Sequence, residues 1–129
     1  MFQPLPQQQE MVAKEIVDIA FDIHSQLGPG LLESVYETCF CHELKYRGIA
    51  YEQQKHVPII YNDLKINDGL RLDLLINDSI IVELKAHDNY HPVWEAQLLS
   101  YLKLTSNRLG FIINFHVPLI KNGIKRIIL

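Results

Sequence analysis

The sequence predicts a mixed α/β domain: two N-terminal helices, then strands, a third helix and closing strands. Three observations carry that expectation. Apolar residues recur at three- and four-residue spacing early in the chain and again after Pro92. Between residues 50 and 86 the period changes to two, broken by turn residues. Leu109 to Phe115 is an almost wholly apolar run, which marks a central strand covered on both faces. With 129 residues, 48% of them hydrophobic, there is material for one core and not two, so residues 1–129 are expected as a single domain.

Residues 1 to 7 are polar and proline-punctuated, and are expected as a flexible arm. From about Gln8 to Leu27 the apolar stripe Val12, Ile16, Ile19, Ala20, Ile23 and Leu27 predicts an amphipathic helix, stopped at Gly28-Pro29-Gly30. His24 lies beside that stripe. A structural histidine bonded to backbone is its simpler reading, and a functional one the alternative. A second helix is expected from about Leu31 to Arg47, ending at Gly48. It places Glu33, Tyr36, Glu37 and Phe40 on one side, although Glu33 alone also suits the positive end of a helix dipole. Strands follow at Ala50 to Gln54 and Val57 to Tyr61, with Pro58 marking a sheet edge and Asn62-Asp63 a turn. After Pro92, the residues Trp94, Gln97, Leu98, Tyr101, Leu102 and Thr105 keep helical spacing, so Gln97 and Tyr101 project together. An Asn122-Gly123 turn precedes a last strand, Ile124 to Leu129.

Composition narrows the function classes. A net charge of −3 and a pI near 6.0 exclude a protein that holds nucleic acid by overall charge alone. Lys103, Arg108, Lys121, Lys125 and Arg126 are either local phosphate contacts or ordinary surface charge. The N-terminus has no basic segment followed by an apolar run, and no stretch reaches membrane-spanning length, so the expectation is a cytoplasmic protein with no membrane partner. Cys39 and Cys41, two apart on a helix, face different ways and suit neither a disulfide nor zinc. His87 and His91 read better as surface-loop histidines than as metal ligands.

The stretch Gly69 to Ala86 is a hairpin whose apolar strands are interrupted by Arg71 and Asp73 on one side and Glu83 and Lys85 on the other. Its turn decides what those charges do. A two-residue Asn77-Asp78 turn pairs Asp73 with Val82 and sends the two carboxylates to opposite faces. A three-residue turn, Asn77 to Ser79, pairs Ile76 with Ile80 and sets Asp73 opposite Glu83. The odd-numbered turn is favoured, because it gathers Leu72, Leu74, Ile76, Ile80, Val82, Leu84 and Ala86 on one apolar face. The charged face is then either a solvated surface with cross-strand ion pairs or a pair of hard-oxygen ligands with a cation beside them.

Gly30-Leu31-Leu32-Glu33-Ser34-Val35-Tyr36 matches the signature that names the GxxExxY proteins, and the chain resembles that branch of the PD-(D/E)xK nuclease superfamily. The likeness covers almost the whole chain. His24 with Leu27 to Leu31, Asp73, Val82 to Ala86, Gln97 to Leu102 and Gly123 to Arg126 follow in the family's order. One departure is Leu72, where the superfamily signature has proline before the aspartate.

The resemblance implies a restriction-endonuclease-like fold, a mixed central sheet flanked by helices. It implies a metal-dependent nuclease acting on nucleic acid, DNA ahead of RNA, with Mg²⁺ or Mn²⁺ as cofactor. By resemblance Asp73, Glu83 and Lys85 are the signature acids and lysine, and Glu33 is the extra acid of the first-helix region. Asp73, Glu83, the Leu84 carbonyl and Glu33 would hold the metal, while His24, Tyr36, Gln97 and Tyr101 would support the site or position substrate. The alternative is a nuclease-fold module that binds nucleic acid or a protein without cutting. In so small a domain, a homodimer or a helper protein would extend the specificity surface.

Overall fold

The computed structural model describes residues 3–129. Its elements are α1 (Gln7–Leu27), α2 (Glu33–Tyr46), β1 (Tyr51–Tyr61), β2 (Leu64–Ile76), β3 (Ile80–Lys85), α3 (Val93–Thr105), β4 (Leu109–Asn114) and β5 (Ile124–Ile128). The strands form one mixed sheet in the order β1-β2-β3-β4-β5. All neighbours are antiparallel except β3 and β4, which run parallel because α3 carries the chain back between them.

Helices cover both faces. On one, Ile16, Ile19 and Ala20 of α1 and Tyr36, Phe40 and Leu44 of α2 pack on Leu74, Ile76, Val82, Leu84, Phe111 and Ile113. On the other, Trp94, Leu98 and Leu102 of α3 pack on Leu72, Leu75, Ile81 and Ile112. Double coverage explains why β4 is buried along its whole length and reads as an apolar run without alternation. β1, which carries Pro58, is an edge strand as expected.

Several expectations are corrected. The two short strands before the Asn62-Asp63 turn are one strand, β1, which shifts register between Val57 and Ile59. α2 starts at Glu33, two residues later than the spacing suggested. The Asn122-Gly123 turn stands where expected, as the end of a short 3-10 turn, Ile120–Asn122, leading to Gly123, where an added Cβ would collide with the Asn114 carbonyl oxygen. Of the expected N-terminal arm, Met1 and Phe2 lie outside the described residues. Its remainder is tied down: Leu5 is buried in the core and Arg108 Nη2 donates to the Gln3 carbonyl at 2.7 Å. Among the described residues no helix is long and apolar enough to cross a membrane.

The apolar face of the central hairpin is corrected too. Leu74, Ile76, Ile80, Val82 and Leu84 share the α1–α2 side as expected, but Leu72 belongs to the α3 side. The alternation breaks at Asp73. Opposite it on β1, Gln54 would complete the pairing between Gln53–Leu74 and Lys55–Leu72, yet its φ of 52° takes it out of the ladder. Gln54 and Asp73 are thus the one unpaired residue on each strand between those two pairs.

Candidate active site

The turn joining β2 to β3 has three residues and pairs Ile76 with Ile80. Asn77 and Asp78 both take positive φ, 52° and 55°, which their short polar side chains tolerate, and the Ser79 N–H closes the turn on the Ile76 carbonyl at 3.1 Å. Pairing then continues only to Leu74 and Val82. One residue further, side chains replace the ladder. The Asp73 N–H donates to Glu83 Oε2 at 2.8 Å, and the Leu84 N–H donates to Asp73 Oδ2 at 2.9 Å. Each carboxylate is thus fixed through one oxygen, leaving its second oxygen for another partner. The Leu84 carbonyl turns to the same side as its N–H, beyond the last ladder pair.

Glu83 is only 5% exposed, whereas Asp73, Lys85 and Glu33 are half-buried. Burial raises the Glu83 carboxyl to about 8, and the facing Asp73 adds to the rise against the pull of the Asp73 N–H and Lys85. Asp73 is raised for the same first reason; the Leu84 N–H and Lys85 oppose the shift, and Glu37 reinforces it. Glu33 is raised by burial and then by Asp73, with Lys85 and His87 opposing. These mutual effects put Glu33, Asp73, Glu83 and Lys85 in one electrostatic neighbourhood. Among the described residues no three acidic, histidine or cysteine side chains close on a single point. A cation would therefore meet a carboxylate pair with Glu33 at its margin.

The other sequence-selected residues fall into two groups. Tyr101 lies near the acids: burial, Glu83 and Asp73 raise its phenol, and Arg71 lowers it. Gln97, one turn earlier on α3, is exposed. Tyr36 and His24 are bonded to backbone instead. The Tyr36 hydroxyl donates to the Gly28 carbonyl at 2.6 Å and accepts from the Leu31 N–H at 3.1 Å, while its ring stacks on Phe115 with centroids 4.3 Å apart. It thereby fixes the loop that leads into Glu33. His24 Nε2 bonds the Val117 carbonyl at 2.8 Å, the contact of a structural histidine.

Sequence reasoning missed Gln54 as a site neighbour and gave Glu37 no role. Glu37 accepts 2.7 Å hydrogen bonds from the amides of Gln53 and Gln54, and Gln54 lowers the Asp73 pKa. Gln54 Oε1 is buried without a hydrogen-bond partner among the described residues. Glu37 could have been found, since it stands four residues after Glu33 on the same helix face. Nothing local in Gln54 announces its left-handed backbone.

A five-stranded mixed sheet between helices, with an aspartate facing Glu-x-Lys where two strands part, is consistent with a restriction-endonuclease-like fold. The family model for the PD-(D/E)XK nuclease superfamily matches residues 10–127, and the chain belongs to that superfamily. No curated protein and no solved structure matches the chain. Membership implies a nuclease-type function and nucleic-acid binding, and the superfamily generally uses divalent metals.

Proposed function

We propose that the protein is a divalent-metal-dependent nuclease that hydrolyses phosphodiester bonds of nucleic acid, DNA ahead of RNA, in the cytoplasm. The observation that carries this reading is the reciprocal bonding of Asp73 and Glu83, which fixes two carboxylates side by side, each held through one oxygen by a backbone N–H. That donor set fits Mg²⁺ or Mn²⁺. Its oxygens are hard and anionic, and their raised pKa values are the strain an added cation relieves. Asp73, Glu83 and the Leu84 carbonyl would hold the ion, with Glu33 of α2 at the margin of the site. Bound there, it would supply Lewis acidity towards the phosphate and a more acidic water.

The rest of the chemistry belongs to the protein. Lys85, two residues beyond Glu83 on the same strand, places its ammonium to orient the attacking water and to offset charge on the phosphate. Its Nζ stands 5.4 Å from the Trp94 ring centroid, which restrains the side chain. Glu37 and Gln54 steady Asp73 from behind. Tyr36 holds the loop entering Glu33, and His24 anchors the end of α1. Tyr101, with Gln97 one turn away, faces substrate from α3.

The test is cleavage of labelled single- and double-stranded oligonucleotides with Mg²⁺ or Mn²⁺, by wild type and by Glu83→Gln and Lys85→Ala. The reading requires metal-dependent cleavage that both substitutions abolish or cut by about 10²–10⁴-fold. Equal cleavage by the variants overturns it. Nucleic-acid binding without cleavage by wild type would support the second reading, a non-cutting module, which the acidic net charge of −3 favours.

A further inference from the structure

The loop between β3 and α3 gathers aromatic rings beside Lys85. His87, Tyr90 and His91 each meet Trp94 edge-on, at centroid distances of 5.4, 5.3 and 5.2 Å. Trp94 is buried, but the three rings around it are exposed, Tyr90 to 43%. The loop is also anchored from below. The Asn114 side chain accepts from the His87 N–H and donates to the His87 carbonyl, tying the loop's first turn to the end of β4.

Tyr90 faces two ways. One side meets Trp94, and the other lines a cleft of about 230 Å³ shared with Asn114, Asn122, Gly123 and Lys125. That volume is below the roughly 300–1,000 Å³ of clefts for drug-sized ligands, and it suits one heterocyclic ring system. Glu95 pairs with Lys125 at 3.6 Å, and the Lys125 ammonium lies over the Tyr90 ring, so a stacking partner has to displace that flexible side chain. Lys125 Nζ stands 5.6 Å from the Tyr90 ring centroid on a long, half-exposed side chain. Lys85 and Asn114 are paired neighbours at the carboxyl ends of the parallel strands, so cleft and acid pair open from the same end of the sheet.

We propose that this cleft takes one unpaired nucleobase, stacked on Tyr90, with Lys125 contacting the adjoining phosphate, so that the protein binds single-stranded nucleic acid or a frayed end. The inference rests on the nuclease reading of the neighbouring acids. A net-acidic chain cannot hold its substrate by long-range charge, so local stacking and a few cations have to serve. Bases inside a duplex present no free face to a protein ring. A single strand does, whatever its sequence.

The test is equilibrium binding by fluorescence anisotropy, with Ca²⁺ as the added metal, of a single-stranded DNA, the matching RNA and the blunt DNA duplex. A 2-aminopurine in the single strand reports stacking directly. The expected result is tighter binding of single strand than of duplex, 2-aminopurine quenched on binding, and a loss of about 5- to 150-fold for Tyr90→Ala with Tyr90→Phe close to wild type. The DNA and RNA arms say which strand supplies the base. Duplex preference, or a wild-type complex without quenching, overturns the inference even if Tyr90→Ala fails to fold. Wild type that cuts nucleic acid while Tyr90→Ala binds equally well overturns the stacking site and leaves the nuclease reading standing. Wild type that binds no nucleic acid overturns both.

Discussion

The backbone N–H of Asp73 donates to Glu83 Oε2 at 2.8 Å, one residue beyond the last paired residues of their strands, and the Leu84 N–H returns the bond to Asp73. Two carboxylates are therefore held together by main-chain donors and not by a counter-charge. Without a cation the arrangement is electrostatically costly, and it is fixed before any ligand arrives.

That cost gives a stability prediction. Glu83→Gln retains a side-chain oxygen to accept the Asp73 N–H but removes a buried charge. The metal-free variant is expected to be more stable than wild type at pH 8.5 by about 1 kcal/mol or more, read as a rise in the denaturation midpoint. Added Mn²⁺ is expected to stabilise wild type and leave Glu83→Gln almost unmoved.

The pH dependence has a definite sign. Burial raises the Glu83 carboxyl from 4.5 to about 8 in the folded protein. A group raised on folding binds its proton more tightly in the native state, so its contribution is full below the unfolded value and is lost as pH climbs through the folded one. Metal-free stability should thus fall between about pH 4.5 and pH 8 from this group. Metal affinity should rise over the same window, because the ion displaces that proton. Calorimetric Mn²⁺ titration at pH 7 in two buffers of different ionisation enthalpy would show net proton release; an unchanged heat would contradict the coupling.

Tyr36 offers a test remote from the acids. Tyr36→Phe keeps the stack on Phe115 but leaves the Gly28 carbonyl and the Leu31 N–H without their partner. A loss of about 1–3 kcal/mol is expected in urea unfolding. Cleavage should fall as well, through the loosened approach to Glu33.

Gly123→Ala probes the connection between β4 and β5. The added Cβ would collide with the Asn114 carbonyl oxygen, which is main chain and cannot swing away. Destabilisation by about 1–3 kcal/mol is expected by thermal denaturation. A neutral result would mean that this connection follows another path.

The order of elements and the hairpin register could be read from sequence because both follow from periodicity. Side-chain period two leaves one turn length that groups the apolar residues, and the observed pairing of Ile76 with Ile80 agrees. The crossing of Leu72 to the α3 side could not be read, since it depends on Gln54 leaving the ladder on another strand. The burial of Leu5 is not legible locally, because flanking prolines and glutamines outweigh one apolar residue in composition and its packing partners lie far along the chain. His87 and His91 are exposed loop residues as expected, but their gathering with Tyr90 around Trp94 is a tertiary contact that local sequence does not announce.

The metal site is tested most directly by a crystal soaked in Mn²⁺ and read for anomalous density. The expected result is a peak between Asp73 and Glu83, within about 2.0–2.3 Å of the oxygen that each leaves unbonded to the backbone. No peak there at millimolar Mn²⁺, or a peak confined to His87 and His91, would contradict it.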